Sequence, residues 1–288
     1  EGVNVSVILP KYGDLPLHYQ QQIQWIKSIE VPVGWRNQFC GIERLDYQGI
    51  TIYFLDNEYY FKRHGSYGFE DDGERFAFFS RAVLEALPHL EQIPEIIHCH
   101  DWQTGLIPVL LKAHYVNQPL YREIKTVFTI HNLRYQGIYP KSVLSDLLNL
   151  SDFYFHMDAL EFYGNVSYLK GGLAFADCVT TVSATYAEEI QTPYYGEGLD
   201  GFLRKKGAKL RGIVNGIDND SYDPKRDELI FLPFDSQQGK AENKKNLQKT
   251  LGLPVNADIP IISMVTRLVD QKGIDLIRHV FHEIIGLN

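Results

Sequence analysis

The 288-residue sequence predicts an α/β protein built on a doubly wound, Rossmann-like parallel sheet. Short apolar, β-branched runs alternate with segments of helical periodicity, which is typical of parallel βα units. Polar residues follow directly after several of these runs, as they do at the ligand-binding edge of such sheets. A composition of 44% hydrophobic and 22% charged residues is that of an ordinary globular protein.

The individual elements are predicted from two kinds of segment. Strands are predicted at short β-branched runs, such as VNVSVIL at 3–9, which ends at Pro10, and KTVFTI at 125–130. Helices are predicted where apolar residues recur with helical spacing, as in RFAFFSRAVLEAL at 75–87, which stops at Pro88. In chain order the predicted strands are 3–9, 48–55, 95–100, 125–130, 178–182, 209–214 and 259–265, and the predicted helices are 75–87, 105–114, 166–176, 184–190, 240–251 and 273–284.

A polar segment at 232–243, which contains Pro, Gly and Gln, predicts a boundary between two domains. We therefore assign 1–240 to a first domain and 241–288 to the beginning of a second α/β domain. One strand with two helices cannot bury a full sheet, so we expect this second piece to need a partner or a continuation of the chain.

Charge and composition exclude several classes of protein. The net charge is −8, from 28 basic and 36 acidic residues, which argues against a nucleic-acid partner. No apolar run approaches the length of about 18 residues that a membrane span needs, so no membrane partner is predicted. The three cysteines, Cys40, Cys99 and Cys178, are widely spaced and suggest no disulfide framework, which fits a cytoplasmic protein.

Polar side chains follow five of the predicted strands, and this is where doubly wound folds place their sites. Five such strand ends together indicate a shared cleft more strongly than one would, because single strands also commonly end in polar residues. The residues concerned are His100, Asp101, Trp102, Gln103, His131, Asn132, Ser183, Asn215, Gly216, Ile217, Asp218, Arg267 and Lys272.

The histidines at two of these strand ends allow different interpretations. His98 and His100 share one strand face beside Asp101, but no HExxH motif or cysteine pair accompanies them. The pattern therefore favours a core histidine at 98 over a metal ligand, and we predict no metal site. His131 is equally compatible with a turn residue held by local hydrogen bonds and with a group that faces a polar ligand.

Arg267 and Lys272 lie between a predicted strand and a helix whose first turn contains Gly273. Backbone N–H groups and the helix dipole favour an anion at such a position. An arginine and a lysine beside them favour a diphosphate site over a solvated basic loop. Neither a Walker loop nor a GxGxxG motif is present, so the sequence does not support a P-loop NTPase or an ordinary dehydrogenase.

Seven segments, in the same order, resemble glycosyltransferase family 5, the bacterial glycogen synthases and plant starch synthases. Any one of them is of moderate specificity, but together they extend over nearly the whole chain. They are VILPKYGD at 7–14, DDGERFAFFSRAVLE at 71–85, HCHDWQTGLIPVLL at 98–111, TIHNLRYQGIY at 129–139, LKGGLAFADCVTTVSATYAEEIQTPYYGEGLDGFLR at 169–204, GIVNGIDNDSYDP at 212–224 and TRLVDQKGIDLI at 266–277.

The resemblance implies a GT-B fold, in which two Rossmann-like domains face each other across a cleft. It implies transfer of glucose from ADP-glucose, or sometimes UDP-glucose, to the non-reducing end of an α-1,4-glucan with retention of configuration. No metal or other cofactor is expected. The first domain would then be the acceptor-side domain, and the second the nucleotide-binding domain. The expected location is the cytoplasm, or the plastid in a plant.

The resemblance also implies roles for individual residues. Arg267 and Lys272 would hold the donor diphosphate and stabilise the charge of the departing ADP, and His131 would contact the donor glucose. The remaining matched residues would bind or border the sugars. They are Asp101, Trp102, Gln103, Asn132, Tyr135 and Asn215. Gln103 stands where some members of the family have His, and we expect little effect from this.

Two segments of the family pattern fall outside this sequence, namely the K-x-G-G-L-G-D loop and the downstream E-x7-E segment. We therefore expect the 288-residue chain alone to be inactive, although its parent is an enzyme. The alternatives are a non-catalytic glucan-binding fragment and a degenerate GT-B protein. A sucrose-synthase-like or family 4 transferase is disfavoured by DWQTG and by QTPYYGEGLDGFLR, and a metal-dependent hydrolase by the lack of a metal motif.

Overall fold

A computed structural model describes residues 2–286, which form two compact units that divide between Asn215 and Gly216. The strands are β1 (Ser6–Pro10), β2 (Gln24–Val33), β3 (Arg36–Tyr47), β4 (Ile50–Asp56), β5 (Ile96–His100), β6 (Lys125–Ile130), β7 (Ile138–Tyr139), β8 (Glu161–Phe162), β9 (Asn165–Ser167), β10 (Cys178–Thr181) and β11 (Leu210–Gly212). The α-helices are α1 (Leu17–Gln20), α2 (Glu58–Phe61), α3 (Asp72–Ala86), α4 (Leu106–Leu110), α5 (Val143–Asp146), α6 (Tyr168–Phe175), α7 (Ala184–Glu189), α8 (Asp200–Lys206), α9 (Gln237–Thr250) and α10 (Ile274–Ile285).

The first unit contains a mixed four-stranded sheet in the order β1-β4-β3-β2. β1 pairs with β4 in parallel, whereas β3 is antiparallel to both of its neighbours. The sequence analysis predicts β1 and β4 but not the β2–β3 hairpin. The first half of β2 is exposed on both faces, so its residues lack the strict apolar alternation that indicates a half-buried strand.

A second four-stranded sheet, in the order β11-β10-β6-β5, is parallel throughout. Its register aligns His100 with Thr129, and Thr181 with both Ile130 and Gly212. The carboxyl ends of all four strands therefore lie along one edge, as the strand–helix alternation predicts. This sheet confirms the predicted Rossmann-like α/β class.

Glycines allow the helices to approach this sheet closely. A Cβ at Gly172 of α6 would lie 2.4 Å from the ring of Phe128 in β6, and one at Gly105 would lie 2.2 Å from the carbonyl oxygen of Tyr168. These contacts bring α6 against the sheet and against the turn that follows β5. The segment after β5 is thereby packed closely against the start of α6.

Helix α3 is almost completely buried and packs against β2 and α4. Its Arg75 is fully buried, ion-paired with Asp72 and hydrogen-bonded by Nε to the carbonyl oxygen of Tyr60 at 2.7 Å. A buried charge needs such partners. The contacts of Arg75 connect the first turn of α3 to the end of α2. The predicted helix at 75–87 is confirmed, with its start at Asp72.

A small three-stranded antiparallel sheet, β7-β9-β8, lies between β6 and α6 in the chain. Its strands follow the loop that leaves β6, and β9 leads directly into α6. The Oγ of Ser167 accepts a hydrogen bond from the N–H of Lys170 and so caps α6. The helix predicted at 166–176 includes the end of this segment, Val166 and Ser167, which the structure places in β9.

The second unit contains α9 and α10, both predicted, but the predicted strand at 259–265 is wrong. That segment is irregular, and Ile262 and Val265 are 75% and 99% exposed. A strand is stabilised by pairing, and no strand is present within residues 216–286 to pair with it. The two compact units divide 25 residues before the predicted domain boundary at 240/241, and residues 216–236 contain neither helix nor strand. Residues 287 and 288 of the predicted second domain lie outside the described residues.

Candidate active site

The turn after β5 carries Asp101 in an unusual backbone conformation. Its φ is 55°, in the left-handed region that non-glycine residues rarely adopt. Its N–H donates to the carbonyl oxygen of Thr129 at 3.0 Å, so the β5–β6 pairing continues beyond the end of the strand. Strained residues of this kind persist only where the surrounding structure holds them, and they cluster at functional sites.

The carboxylate of Asp101 reaches across to the end of β6. Its Oδ1 accepts a hydrogen bond from the backbone N–H of His131 at 2.7 Å and a longer one from that of Asn132 at 3.4 Å. Burial raises the pKa of Asp101 above that of an ordinary aspartate, and these backbone hydrogen bonds oppose the shift. Asp101 thus fixes the main chain at the two predicted sugar-facing residues.

Three histidine rings meet at this edge. The Nδ1 of His100 lies 3.0 Å from the Nε2 of His131, and the rings of His98 and His100 are 4.2 Å apart. The Nε2 of His98 lies 2.6 Å from the hydroxyl of Thr129, which in turn contacts that of Thr180 at 2.6 Å. Desolvation lowers the pKa of His98 and, with both neighbouring imidazoles, that of His100 to about 4.

The two aromatic residues predicted at the site differ in exposure. Trp102 is only 8% exposed and packs edge-on against Phe76 at 5.0 Å. It also lies over Gly137, where a Cβ would come within 2.4 Å of the indole. Tyr135 is 51% exposed. The described contacts of Trp102 are those of a core residue, and its role is to pack beneath the loops at the carboxyl ends of the strands.

The remaining predicted residues of the first unit lie near the same edge. Gln103 is partly buried in the short 3₁₀ turn Trp102–Thr104 that follows β5. The side-chain oxygen of Asn132 accepts a hydrogen bond from the N–H of Arg134 at 3.1 Å, which shapes the loop leaving β6. Asn215 is exposed three residues after the end of β11.

Arg267 and Lys272 belong to the second unit, and both are exposed. The N–H of Lys272 donates to the carbonyl oxygen of Val269 at 2.9 Å, which forms a short turn before α10. Gly273, at φ 67°, is the N-cap of α10. Both cations therefore precede a helix N-terminus, as the sequence analysis predicts.

Residues within the sheet that stabilise this edge are not indicated by the sequence pattern. Thr129 and Thr180 connect His98 to two strands, and the hydroxyl of Tyr186 accepts a hydrogen bond from the N–H of Leu133 at 3.2 Å. Only the alternation in IIHCH, which places His98 and His100 on one face, signals part of this arrangement.

Two general properties of the described residues bear on the chemistry. Within 2–286, no three His, Cys, Asp or Glu side chains are grouped so that they could hold a metal ion. In the same range, no helix is long and apolar enough to cross a membrane. The expectation that the reaction needs no metal stays a prediction.

Comparisons with known proteins show which proteins this chain resembles. A family profile described as the starch synthase catalytic domain matches residues 1–205. Glycogen synthases of Alkaliphilus metalliredigens and Desulforamulus reducens are 56% and 55% identical to it, over 99% and 100% of this chain and 60% of each relative. The chain thus spans about 60% of the length of these curated relatives.

A solved structure supports the same assignment. The catalytic domain of starch synthase IV from Arabidopsis thaliana, determined with ADP and acarbose bound, is 35% identical, with a TM-score of 0.90. The match covers 99% of this chain and 60% of that chain. It confirms the GT-B type of α/β fold that the sequence analysis predicts.

Proposed function

Because this chain belongs to the starch synthase catalytic domain family, we propose that it forms part of a glycosyltransferase that extends α-glucan. The donor is ADP-glucose, the acceptor is the non-reducing end of an α-1,4-glucan, and the anomeric configuration is retained. The glycogen synthase relatives and the ADP and acarbose bound to the plant enzyme support this choice of substrates. The protein acts in the cytoplasm and needs no metal.

The observation that carries the proposal is the contact between Asp101 and His131 at the carboxyl edge of the parallel sheet. A left-handed backbone at Asp101 is stabilised so that its carboxylate holds the main chain of His131 at 2.7 Å. Such an arrangement keeps the His131 imidazole in one place, which favours precise hydrogen bonding to a sugar hydroxyl. Its role is to orient the donor glucose while positive charge develops at the anomeric carbon.

The acceptor side of the site draws on the same edge. Asn132 and Gln103 offer amide groups for sugar hydroxyls, and exposed Tyr135 offers a ring face for a glucose unit. Asn215, after β11, extends the row of polar groups along the edge. Trp102 acts beneath these residues, through packing.

Arg267 and Lys272 bind the diphosphate of the donor. Both precede the N-terminus of α10, where backbone N–H groups and the helix dipole favour an anion. As the bond to the anomeric carbon breaks, negative charge grows on the departing ADP, and two cations stabilise it. They supply the charge neutralisation that a divalent metal supplies when it is bound to a diphosphate leaving group.

Substrate choice tests the proposal. The full-length protein that carries this chain is incubated with glycogen and either radiolabelled ADP-glucose or radiolabelled UDP-glucose, with and without a chelator. We expect label in glycogen from ADP-glucose, unaffected by the chelator and released by an enzyme specific for α-1,4 linkages. Glycogen binding without incorporation from either donor would instead establish the non-catalytic glucan-binding alternative.

A further inference from the structure

The ring of His131 has its own partner, distinct from the one that holds its backbone. Asp101 accepts the hydrogen bond of the His131 N–H, whereas the Nε2 atom of the ring lies 3.0 Å from the Nδ1 of His100. Two consecutive residues, the last of β5 and the first of the turn after it, therefore hold the side chain and the main chain of one histidine. The predicted roles at this edge include Asp101 and His131 but assign nothing to His100.

We propose that His100 is a positioning residue, which fixes the orientation and the tautomer of the His131 ring through the hydrogen bond between their facing nitrogens. The catalytic consequence of this role rests on the proposed function of His131. The structural consequence does not, because the two rings face each other whatever the site binds.

The hydrogen bond requires one proton between the two facing nitrogens. A neutral imidazole has one N–H and one lone pair. The role of the His131 Nε2 in this hydrogen bond, as donor or as acceptor, therefore determines which of the two ring nitrogens carries the N–H. His100 itself stays neutral near pH 7, because desolvation, His98 and His131 together lower its pKa to about 4. The carboxylate of Asp101 accepts its hydrogen bond from the His131 backbone N–H and not from the ring.

The ring of His100 is itself supported from the sheet. It packs against the His98 ring in a tilted arrangement, with the ring centroids 4.2 Å apart and an angle of 34° between the rings. The Nε2 of His98 contacts the Thr129 hydroxyl at 2.6 Å, and Thr129 contacts Thr180 on the neighbouring strand at 2.6 Å. The His100 ring therefore packs against His98 on one side, and its Nδ1 faces the His131 ring on the other. A residue that orients a ligand-binding imidazole is expected to be held in this way.

Two substitutions separate hydrogen bonding from ring packing. His100→Phe keeps a flat ring against His98 but removes the nitrogen, whereas His100→Asn keeps a polar group near the position of Nδ1. His89→Phe serves as the control, because His89 is a partly buried histidine in the turn after α3, outside this cluster. Ring-nitrogen NMR shifts of His131, assigned by their loss in His131→Gln, report its tautomer directly.

We expect a single fixed tautomer of His131 in the unsubstituted protein and in His89→Phe, a mixture of both in His100→Phe, and partial recovery in His100→Asn. In the full-length enzyme, His100→Phe should lower kcat by about 10- to 100-fold with little change in the KM for glucan, and His100→Asn should restore part of it. Unchanged His131 ring shifts in His100→Phe would overturn the proposal. Altered shifts with an unchanged kcat would confirm the contact but overturn the catalytic role proposed for His131.

Discussion

Asp101 and His131 follow neighbouring parallel strands, and the carboxylate of the first accepts a hydrogen bond from the backbone N–H of the second at 2.7 Å. The contact depends on a left-handed φ of 55° at Asp101, which aims the carboxylate along the edge of the sheet. The carboxylate of Asp101 therefore fixes the backbone of the loop that begins at His131. The family resemblance places Asp101 itself beside the sugar.

Replacing Asp101 tests whether it acts through the backbone. Asp101→Ala removes the acceptor and leaves a residue poorly suited to positive φ, so kcat of the full-length enzyme should fall by roughly 100-fold. Asp101→Asn keeps the Oδ1 acceptor and the shape of the side chain, so it should lose less than about 10-fold. Equal losses in steady-state assays of the two variants would mean that the negative charge acts on substrate directly.

Replacing Gly137 tests how Trp102 supports the edge. In Gly137→Ala the new Cβ would lie 2.4 Å from the indole, and φ is 59°. We expect a loss in free energy of unfolding of about 1–2 kcal/mol from the backbone and a further 1–3 kcal/mol or so from overpacking. Gly164→Ala is the matched control, since φ is 81° there but no atom lies within 4 Å. Urea unfolding should show the larger loss for Gly137→Ala, and equal losses would contradict the close packing.

Replacing Lys272 tests the donor side. Lys272→Ala removes a cation before the N-terminus of α10, so it should lower kcat of the full-length enzyme strongly, by on the order of 100-fold or more. Affinity for glucan should change little, because the diphosphate belongs to the donor. Lys249→Ala, in the last turn of α9, is the control. Weaker glucan binding with normal turnover would show that the phosphate role is wrong.

The pH dependence of stability tests the environment of His100. Its pKa is lowered to about 4 in the folded chain, from a value near 6.5. Between these values the unfolded state binds more protons than the folded state, so the free energy of unfolding should fall as pH falls from about 6.5 towards 4. In His100→Phe this contribution is absent, and urea unfolding at pH 7 and pH 5 should show a smaller loss. The same loss in both proteins would contradict the depressed pKa.

Hydrogen exchange tests the corrected account of 259–265. The amides of β6 are paired with β5 on one side and β10 on the other and should exchange slowly. Those of 259–265 are in no strand and should exchange rapidly in this 288-residue chain. Strong protection there would show that the segment forms a strand after all.

The parallel sheet was predictable because its signal is local. The predicted strand 125–130 coincides with β6, since KTVFTI is a short β-branched run that the surrounding sheet buries. The β2–β3 hairpin was not predictable in this way, because much of β2 is exposed and lacks an apolar pattern. The segment at 259–265 has the composition of a strand, yet pairing decides whether a strand forms, and composition does not report on partners.

The candidate site was predictable at the level of location. The rule that ligands bind at the carboxyl ends of strands places His100, Asp101, His131 and Asn132 together, and the structure agrees. The contacts among them were not predictable. The φ of Asp101 and the facing nitrogens of His100 and His131 depend on how two strands separated by 24 residues of chain are brought side by side.

The most direct test of the central claim is the kcat for glucose transfer from ADP-glucose to glycogen in the full-length protein with His131→Ala. His18→Ala, an exposed histidine of α1 outside the parallel sheet, is the control. We expect His131→Ala to lower kcat by roughly 100-fold or more, while the affinity for glycogen and the kcat of the His18→Ala control stay near the unsubstituted values. A kcat within about twofold of the unsubstituted enzyme would contradict the claim that this edge of the sheet is the site of transfer.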